Sequence, residues 1–283
     1  DRQRDRFRVS ALTAHSNAAL LLEQATAWNP SFVGLTSPST VEIPGGWVTG
    51  PSALIEAACS DDVDIVLNSV VGVAGMDATL AALSAGKRVA LANKESLVVA
   101  GALATAACAS GGGEIIPVDS EHSAILQCLG GRNAAEVRRL IITASGGPFR
   151  EWTRDRIAEA TRDQALRHPT WSMGSKITVD SATLVNKALE VIEAHYLFGV
   201  PYERIEVVVH PQSIVHSMVE FVDGSIIAQV GVPSMELPIL YALTHPERVV
   251  DEEIPRFDPL AAPSLTFEAV RLDAFPAFRL GIE

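Results

Sequence analysis

Two acidic segments carry the residues best suited to chemistry in this chain of 283 residues. Asp119 and Glu121 stand two positions apart after an apolar run that ends at Val118, so their side chains would share one face of an extended strand end. Asn186 and Glu190 are four residues apart in a segment with a helical pattern, which places them on one helix face. Three carboxylates converging from a strand and a helix form a hard-oxygen site suited to Mg²⁺ or Mn²⁺.

Hydroxyl, amide and ammonium side chains lie near the second acidic segment. Ser181, Asn186 and Lys187 supply them around the start of the predicted helix, where they would suit a phosphate group. The loop at 143–149 adds Ser145 among glycines that let a backbone wrap around an anion. A metal beside a phosphate site indicates chemistry on a phosphorylated sugar. In isolation, each carboxylate would read as an ordinary polar residue, and the density of polar groups is what favours a site.

The composition predicts a globular chain without membrane-spanning or general nucleic-acid-binding character. A hydrophobic fraction of 48% and a mean hydropathy of +0.22 predict well-packed cores, and the length suffices for two domains. No apolar run reaches the roughly 18 residues of a transmembrane helix. The net charge of −12 disfavours a nucleic-acid surface. Three cysteines without metal-like spacing, and a start without a signal-peptide pattern, predict reduced thiols in the cytoplasm.

Short apolar runs alternate with helical patterns in the first part of the chain, as in parallel α/β proteins. Predicted strands cover 8–13, 32–36, 64–68, 89–91 and 114–118, and predicted helices cover 17–27, 51–59, 75–85 and 94–110. Further on, we expect a helix at 181–198, strands at 205–209, 214–222 and 225–230, and a hairpin turn at Asp223-Gly224.

This pattern predicts an α/β fold, with a Rossmann-like parallel-sheet dinucleotide-binding domain followed by an α+β catalytic domain with a largely antiparallel sheet. The expected domains are 1–118 for the dinucleotide, 119–250 for metal and substrate with a lid loop at 168–177, and 251–283 as a linker arm that leads into a helical domain.

Three further segments are candidates for binding small molecules. Asn93, Lys94 and Glu95 follow a strand and open a helix, where backbone N–H groups and a lysine attract anions. Gly72 lies in a small-residue turn that suits close approach to a dinucleotide, although such turns also serve tight packing alone. The segment 168–176 has little apolar periodicity yet contains His, Trp and Met, which is typical of a lid that excludes water. The plain alternatives are a capped helix start and a loop packed permanently on the core.

These segments together resemble the 1-deoxy-D-xylulose 5-phosphate reductoisomerase family. The matching motifs are LANKESLV at 91–98, PVDSEHSA at 117–124, SGGPF at 145–149, HPTWSMG at 168–174, VDS, NK and two glutamates within 179–193, HPQSIVHSM at 210–218 and GVPSM at 231–235. The resemblance covers nearly the whole chain, and so many motifs in register make it specific.

The resemblance implies a role for each candidate residue. The metal, which would be Mn²⁺, Mg²⁺ or Co²⁺, would be bound by Asp119, Glu121 and Glu190. The substrate would be bound by Lys94, Ser120, Glu121, Ser145, His168, Trp171, Ser181, Asn186, Lys187 and Glu190, with Ser145, Ser181, Asn186 and Lys187 on its phosphate. The cofactor NADPH would be contacted by Ser16, Asn17, Gly72, Asn93, Glu95, Gly174 and Met235. The catalytic group would comprise Lys94, Asp119, Glu121, His168 and Glu190.

The implied reaction is isomerisation of 1-deoxy-D-xylulose 5-phosphate and its reduction by NADPH to 2-C-methyl-D-erythritol 4-phosphate, a step of non-mevalonate isoprenoid synthesis. A small sugar-phosphate substrate, a homodimer, and no nucleic-acid or membrane partner are expected. The chain departs from the family pattern at both ends. It lacks the N-terminal Gly-x-Thr-Gly-Ser-Ile-Gly turn, and we expect only the first residues of the C-terminal helical domain, after Phe275.

Two other functions fit parts of the pattern. A different Rossmann-type reductase, such as a homoserine dehydrogenase, also carries an Asn-Lys pair after a strand, but it would not need the three carboxylates for one catalytic divalent ion. A non-catalytic sugar-phosphate-binding protein would bind ligand and never oxidise NADPH. Sensitivity of NADPH oxidation to a chelator would separate all three.

Overall fold

The computed structural model describes residues 2–39 and 41–282. The chain divides into two compact units, Asp1–Ile116 and Pro117–Glu283. The boundary between them is close to the predicted one after residue 118. The second unit includes the arm at 251–283, and the domain assignments themselves stay predictions. Across the described ranges, none of the helices has the length and apolar character needed to cross a membrane.

The first unit contains parallel strands alternating with helices. Its strands are β1 (Ala11–Ala14), β2 (Phe32–Leu35), β3 (Val48–Thr49), β4 (Ile65–Asn68), β5 (Arg88–Leu91) and β6 (Glu114–Pro117), and its helices are α1 (Ala18–Trp28), α2 (Ala53–Cys59), α3 (Met76–Ser84) and α4 (Lys94–Gly111). The sheets have the orders β1-β2-β3 and β4-β5-β6. Strand β2 pairs in parallel with β1 and β3, and β4 pairs in parallel with β5. The short β3 was not predicted from the sequence.

The second unit is built on one mixed sheet. Its helices are α5 (Ser120–Leu129), α6 (Arg154–Ala158), α7 (Arg162–Ala165), α8 (Ser175–Ala182), α9 (Val185–Phe198), α10 (Glu236–Thr244) and α11 (Pro276–Leu280), and its strands are β7 (Val137–Ala144), β8 (Ile205–Val209), β9 (Val215–Phe221), β10 (Ile226–Val230) and β11 (Glu268–Ala269). The sheet order is β10-β9-β7-β8-β11, with β7 and β8 parallel and the other pairs antiparallel. The fold class predicted from the sequence is therefore confirmed.

Helix α9 is held against this sheet by a narrow apolar stripe. Ala188, Val191 and Ala194 recur every three residues and are almost completely buried in a core with Leu140 and Ile142 of β7. Helix α5 lies against β9 and β10 in the same unit. The polar residues between the apolar positions of α9 are thereby fixed in place inside the unit.

Three predicted elements differ from the structure. Glu121 lies in the first turn of α5 and not on an extended strand end, because strand β6 stops at Pro117. The helix predicted at 181–198 is interrupted at Leu184, whose left-handed backbone (φ 59°) separates α8 from α9. The predicted lid loop at 168–177 becomes helical from Ser175, where α8 begins. The hairpin turn at Asp223-Gly224 is present, with Gly224 at φ +87°.

Candidate active site

The first side chains of the site come from the start of α5. Asp119 occupies the N-cap position, and its carbonyl oxygen accepts the Ser123 N–H at 2.8 Å. Ser120 and Glu121 follow in the first turn, where the helix dipole favours negative charge. The Ser120 hydroxyl donates to Glu121 Oε2 at 2.6 Å. A helix N-terminus therefore holds the two carboxylates that the sequence places together.

Helix α9 supplies one lysine and two further carboxylates from one face. Lys187, Glu190 and Glu193 recur at three-residue spacing, and all three are buried. Asn186 lies one turn before Glu190, and its amide donates to Glu190 Oε1. The break at Leu184 starts α9 afresh and so sets which residues face inward.

Asp119, Glu121 and Glu190 form a carboxylate cluster in which one oxygen from each residue lies within 4.8 Å of the others. The Lys187 ammonium donates to Glu121 Oε1 at 2.7 Å and to Glu190 Oε2. Burial and the charge of Glu190 raise the pKa of Glu121 to about 7, against the lowering effect of Lys187. Burial would lower the pKa of Lys187, but the charges of Glu121 and Glu190 outweigh it and raise that pKa.

This carboxylate cluster fits a divalent cation. Three buried or half-buried carboxylates lie together and one ammonium pairs with two of them, so the group carries excess negative charge and already binds one cationic side chain. Burial is the main cause of the raised pKa of Glu121, and the charges of Glu190 and Asp119 add to it; a divalent ion bound there would favour the ionised carboxylate. Oxygen-only donors of this kind suit Mg²⁺ or Mn²⁺.

His122 lies directly behind the carboxylate cluster. Its Nε2 is 2.9 Å from the Glu190 carbonyl oxygen, and its Nδ1 is 3.4 Å from Glu193 Oε2 and 3.8 Å from Asp119 Oδ1. Burial would lower the pKa of His122, but Glu193 and Asp119 outweigh it and raise that pKa to about 9. The sequence leaves two interpretations of His122 open, a residue that supports the metal ligands or an ordinary structural histidine. Its pairing with Glu193 becomes visible once α5 and α9 are both known to be helices.

The loop after β7 lies against the end of α8. Gly146 and Gly147 have left-handed backbones (φ +83° and +67°), and a Cβ on Gly147 would lie 2.7 Å from the Ser181 carbonyl oxygen. Only glycine suits that approach. Ser145 and Ser181, both predicted to hold phosphate, are thus brought to neighbouring stretches of backbone. The other two, Asn186 and Lys187, instead contact the carboxylate cluster.

His168 joins this loop to the predicted lid. Its Nδ1 accepts the N–H groups of Thr170 and Trp171 at 3.2 and 2.9 Å, so the other ring nitrogen, Nε2, carries the proton and donates to Ser145 Oγ at 3.0 Å. Burial lowers the pKa of His168, which favours this neutral ring. Since Ser145 Oγ also accepts the Gly147 N–H at 3.3 Å, the serine's own proton can point away toward a ligand.

The lid also meets a histidine to which no role was assigned from the sequence. The Trp171 ring lies 6.4 Å from the ring of His216, which is buried on β9. Burial lowers the pKa of His216 to about 4. Strand β9 is buried at nearly every position, so alternation along it does not distinguish His216 from its neighbours in the sequence. Gly174, predicted to contact NADPH, is the N-cap of α8, and Met235 precedes α10 with 38% of its surface exposed.

In the first unit, the predicted cofactor residues lie at helix starts. Asn17 Oδ1 caps α1 by accepting the Leu20 N–H at 3.1 Å, and Ser16 precedes it. Asn93 caps α4, and its Nδ2 donates to the Gly72 carbonyl at 2.7 Å and to the Val70 carbonyl. Asn93 and Gly72 are therefore brought together, and the left-handed Gly72 (φ +75°) has open space beside its Cα.

The same helix start holds two more of the predicted residues. Lys94 is buried in the first turn of α4, and Glu95 Oε2 accepts from Asn93 Nδ2 at 3.4 Å. The capped helix start that was considered as the plain alternative is thus present. The assignment of these residues to substrate and cofactor stays a prediction.

The fold and the site together define a class of protein. A parallel α/β unit of dinucleotide-binding type, in one chain with a buried carboxylate cluster, is typical of a metal-dependent oxidoreductase. Family profiles narrow this class. The description "1-deoxy-D-xylulose 5-phosphate reductoisomerase" matches residues 1–101, that family's C-terminal domain matches 115–198, and "DXP reductoisomerase C-terminal domain" matches 230–283.

Curated relatives agree over the full chain. It is 49% identical to the 1-deoxy-D-xylulose 5-phosphate reductoisomerase of Heliobacterium modesticaldum, covering 100% of this chain and 74% of that protein. It is 50% identical to the enzyme of that name from Symbiobacterium thermophilum, covering 99% of this chain and 74% of the relative. The chain belongs to the 1-deoxy-D-xylulose 5-phosphate reductoisomerase family, which confirms the family and the enzyme class predicted from the sequence.

Solved structures show the same relationship. The enzyme of this name from Zymomonas mobilis in complex with NADPH has a TM-score of 0.90 at 43% identity, over 99% of this chain and 74% of that one. A DOX-P reductoisomerase in complex with NADPH, fosmidomycin and magnesium has a TM-score of 0.91 at 39% identity, over 99% and 73%. A putative homoserine dehydrogenase from Archaeoglobus fulgidus reaches 0.50 at 15% identity and shares the fold alone.

Proposed function

We propose that this chain isomerises 1-deoxy-D-xylulose 5-phosphate and reduces the product with NADPH, using a divalent metal held by Asp119, Glu121 and Glu190. The single observation that carries the residue assignment is the carboxylate cluster, in which one oxygen from each of the three residues lies within 4.8 Å of the others and the Lys187 ammonium pairs with Glu121 and Glu190. The predicted activity and the predicted cofactors are confirmed by relatives of that name and by solved relatives with NADPH and magnesium. The individual residue roles are our proposal.

The carboxylate cluster prepares the reacting end of the substrate. A divalent ion bound there would act as a Lewis acid toward neighbouring substrate oxygens. Ser120 donates to Glu121 and Asn186 donates to Glu190, so both carboxylates have fixed orientations before ligand arrives. Such preorganisation lowers the cost of reorganisation during the reaction.

Lys187 would change partners when the cation binds. A divalent ion in the carboxylate cluster would replace the ammonium as counter-charge to Glu121 and Glu190. The released Lys187 would then be free to reach the substrate phosphate, as its family motif implies. This exchange reconciles the observed ion pairs with the role predicted from the sequence.

Ser145, Ser181 and the lid would hold the phosphate end. The Ser145 proton can point toward a phosphate oxygen because His168 and Gly147 already donate to its oxygen. Trp171 lies three residues after His168 in the lid and would cover the substrate, excluding water from it during the rearrangement. Holding the phosphate fixed lets the rearranging fragments recombine in register. The NADPH contacts and the role of Lys94 in the first unit stay predictions, and NADPH would supply the hydride.

A homodimer in the cytoplasm is part of the proposal. Strand β10 is a sheet edge in the second unit, and Ile226 and Val230 on it are exposed, as is Val222 just before it. An exposed apolar edge favours pairing with another copy. The cysteines Cys59, Cys108 and Cys128 are all free thiols, which suits a reducing compartment. Light scattering coupled to size exclusion tests the dimer, and cell fractionation tests the location.

The direct test of the activity is NADPH oxidation, followed by absorbance with 1-deoxy-D-xylulose 5-phosphate and Mn²⁺. We expect oxidation that a chelator abolishes and excess Mn²⁺ restores. Oxidation that is insensitive to chelator would favour a different Rossmann-type reductase. Metal-dependent substrate binding without oxidation would favour a binding protein.

A further inference from the structure

We infer that Glu193 acts through His122 as a positioning residue for the carboxylate cluster. This inference rests on the proposed metal ligation by Asp119, Glu121 and Glu190. Neither Glu193 nor His122 belongs to the ligand set or to the predicted substrate contacts. Both nevertheless lie at its back and are completely buried.

Burial of Glu193 is costly enough to need a compensating partner. A buried carboxylate loses several kcal/mol of solvation unless a positive or donor group faces it. Glu193 lies three residues after Glu190 on α9, so the same helix face carries both side chains. Its Oε2 faces His122 Nδ1 at 3.4 Å, which joins α9 to α5.

The His122 ring is fixed from several directions. The Glu190 carbonyl oxygen, 2.9 Å from Nε2, can only accept, so Nε2 carries a proton and donates to it. Nδ1 faces Glu193 Oε2, and Asp119 Oδ1 lies 3.8 Å away on the same side. The Phe198 ring stacks on the imidazole at 6.4 Å between centroids and 11° between planes.

These contacts connect two of the proposed ligands to one ring. The ring holds the backbone of Glu190 through Nε2 and faces the carboxylate of Asp119 through Nδ1. Glu193 holds the Nδ1 side of the ring, because its carboxylate is the closer of the two that face Nδ1 and it lies across the helix interface. Without that carboxylate, the ring would keep its Nε2 hydrogen bond and its Phe198 contact but lose the closest charge facing Nδ1, so Asp119 and Glu190 would be held together less firmly. Partners that orient metal ligands in this way change metal affinity by roughly 10- to 100-fold.

In a competing interpretation, Asp119, His122 and Glu193 are themselves metal ligands. One atom each from Asp119, His122 and Glu193 also lies within 4.8 Å of the others, which would suit a second metal ion. Positioning predicts one ion per chain, whereas ligation predicts two. The stoichiometry of binding therefore separates the two interpretations.

The test is a Mn²⁺ titration of the full chain, with free Mn²⁺ measured by electron paramagnetic resonance. We compare the wild type with Glu193→Gln, His122→Gln and the double variant. We expect one ion per chain, at least about tenfold weaker binding in each single variant, and no further loss in the double variant because both residues act through one ring. Glu193→Asp keeps the charge but withdraws it from Nδ1, and it is expected to weaken binding in the same direction if Glu193→Gln does not fold.

Two controls separate the possible failures. Glu220→Gln removes a buried carboxylate of the same unit that pairs with Arg138 and Arg139 instead, and its Mn²⁺ affinity should equal that of the wild type. Glu121→Gln should abolish tight binding, and if it does not, the proposed ligand set and this inference both fail. If Glu121→Gln behaves as expected, three results would overturn the positioning role alone. The first is an unchanged Mn²⁺ affinity in Glu193→Gln, and the second is an equal loss of affinity from Glu193→Gln with and without His122→Gln. The third is a second bound ion that disappears when Glu193 is replaced.

Discussion

The two units use their polar side chains in different ways. In the first unit, Asn17 and Asn93 direct their side chains to nearby backbone groups, so they shape helix starts and a turn. In the second unit, buried carboxylates face each other with one ammonium between them, and their charge is incompletely compensated. The comparison shows that the first unit would bind a ligand through the shape of its helix starts and turns, whereas the second would bind one through the uncompensated negative charge of its buried carboxylates, which is called the stored charge below.

The largest effect is expected where the stored charge is removed. Glu190→Gln keeps the shape of the side chain but deletes one proposed ligand, so Mn²⁺ affinity should fall by more than about 100-fold, beyond the range for residues that only orient ligands. Turnover should be abolished while the circular dichroism spectrum stays unchanged. Wild-type metal affinity and activity in this variant would break the comparison.

The buried His216 makes the stability of the second unit depend on pH. Its pKa is about 4 in the folded chain and 6.5 ordinarily, so between these values the unfolded chain binds a proton that the folded chain does not. Stability is therefore complete above pH 6.5 and is lost as the pH falls toward 4, by up to roughly 3 kcal/mol.

Urea unfolding at several pH values measures this effect. The difference in slope against pH between the wild type and His216→Gln isolates the histidine from other titrating groups. Parallel slopes for the two proteins would show that His216 titrates normally.

Replacing Lys187 tests whether its ammonium neutralises part of the charge of the carboxylate cluster. In Lys187→Gln, the carboxylate cluster loses its internal cation, so Mn²⁺ should bind roughly tenfold more tightly. The reason is the repulsion that Mn²⁺ no longer meets, because two unit charges about 4 Å apart interact with about 1 kcal/mol in bulk water and about 4 kcal/mol near a protein surface. Affinity for the substrate should fall because the phosphate loses its lysine. Calorimetric titration with each ligand checks both directions. Weaker binding of both would mean that Lys187 supports the metal site instead of competing with it.

The smallest effect is expected in the first unit. Asn93→Ala removes the cap of α4 and should cost about 1 kcal/mol of stability. Asn93→Ser retains a capping oxygen but not the amide that donates to the Gly72 carbonyl, so it should lose less stability. Both variants should bind NADPH more weakly, and both should keep wild-type Mn²⁺ affinity. A change in Mn²⁺ affinity would show that the two units do not differ as described.

Much of the fold could be predicted because local patterns agree with it. The strands and helices of the first unit follow from apolar runs and turn residues, and β8 begins and ends at the predicted residues. The helix containing Glu121 was missed because the residues Pro117 and Asp119 are common both at the end of a strand and at the start of a helix. The break at Leu184 was missed because a left-handed backbone at a leucine leaves no signal in the sequence.

The candidate site was predictable in its residue types and less so in its contacts. The spacing of Asn186 and Glu190 requires a shared helix face, and the structure shows their side chains in contact. The pairing of His122 with Glu193 depends on how α5 and α9 lie against each other, which spacing within one segment cannot supply. For the same reason, the sequence assigns Lys187 to phosphate, whereas its ammonium lies among the carboxylates.

The most direct test of the central claim is a crystal of this protein grown with Mn²⁺, with data collected at the manganese absorption edge. The account predicts one anomalous peak per chain, bonded to Asp119, Glu121 and Glu190, with the Lys187 ammonium moved away from both glutamates. A peak bonded elsewhere, or a Lys187 that still bridges Glu121 and Glu190 in the metal-bound chain, would contradict it.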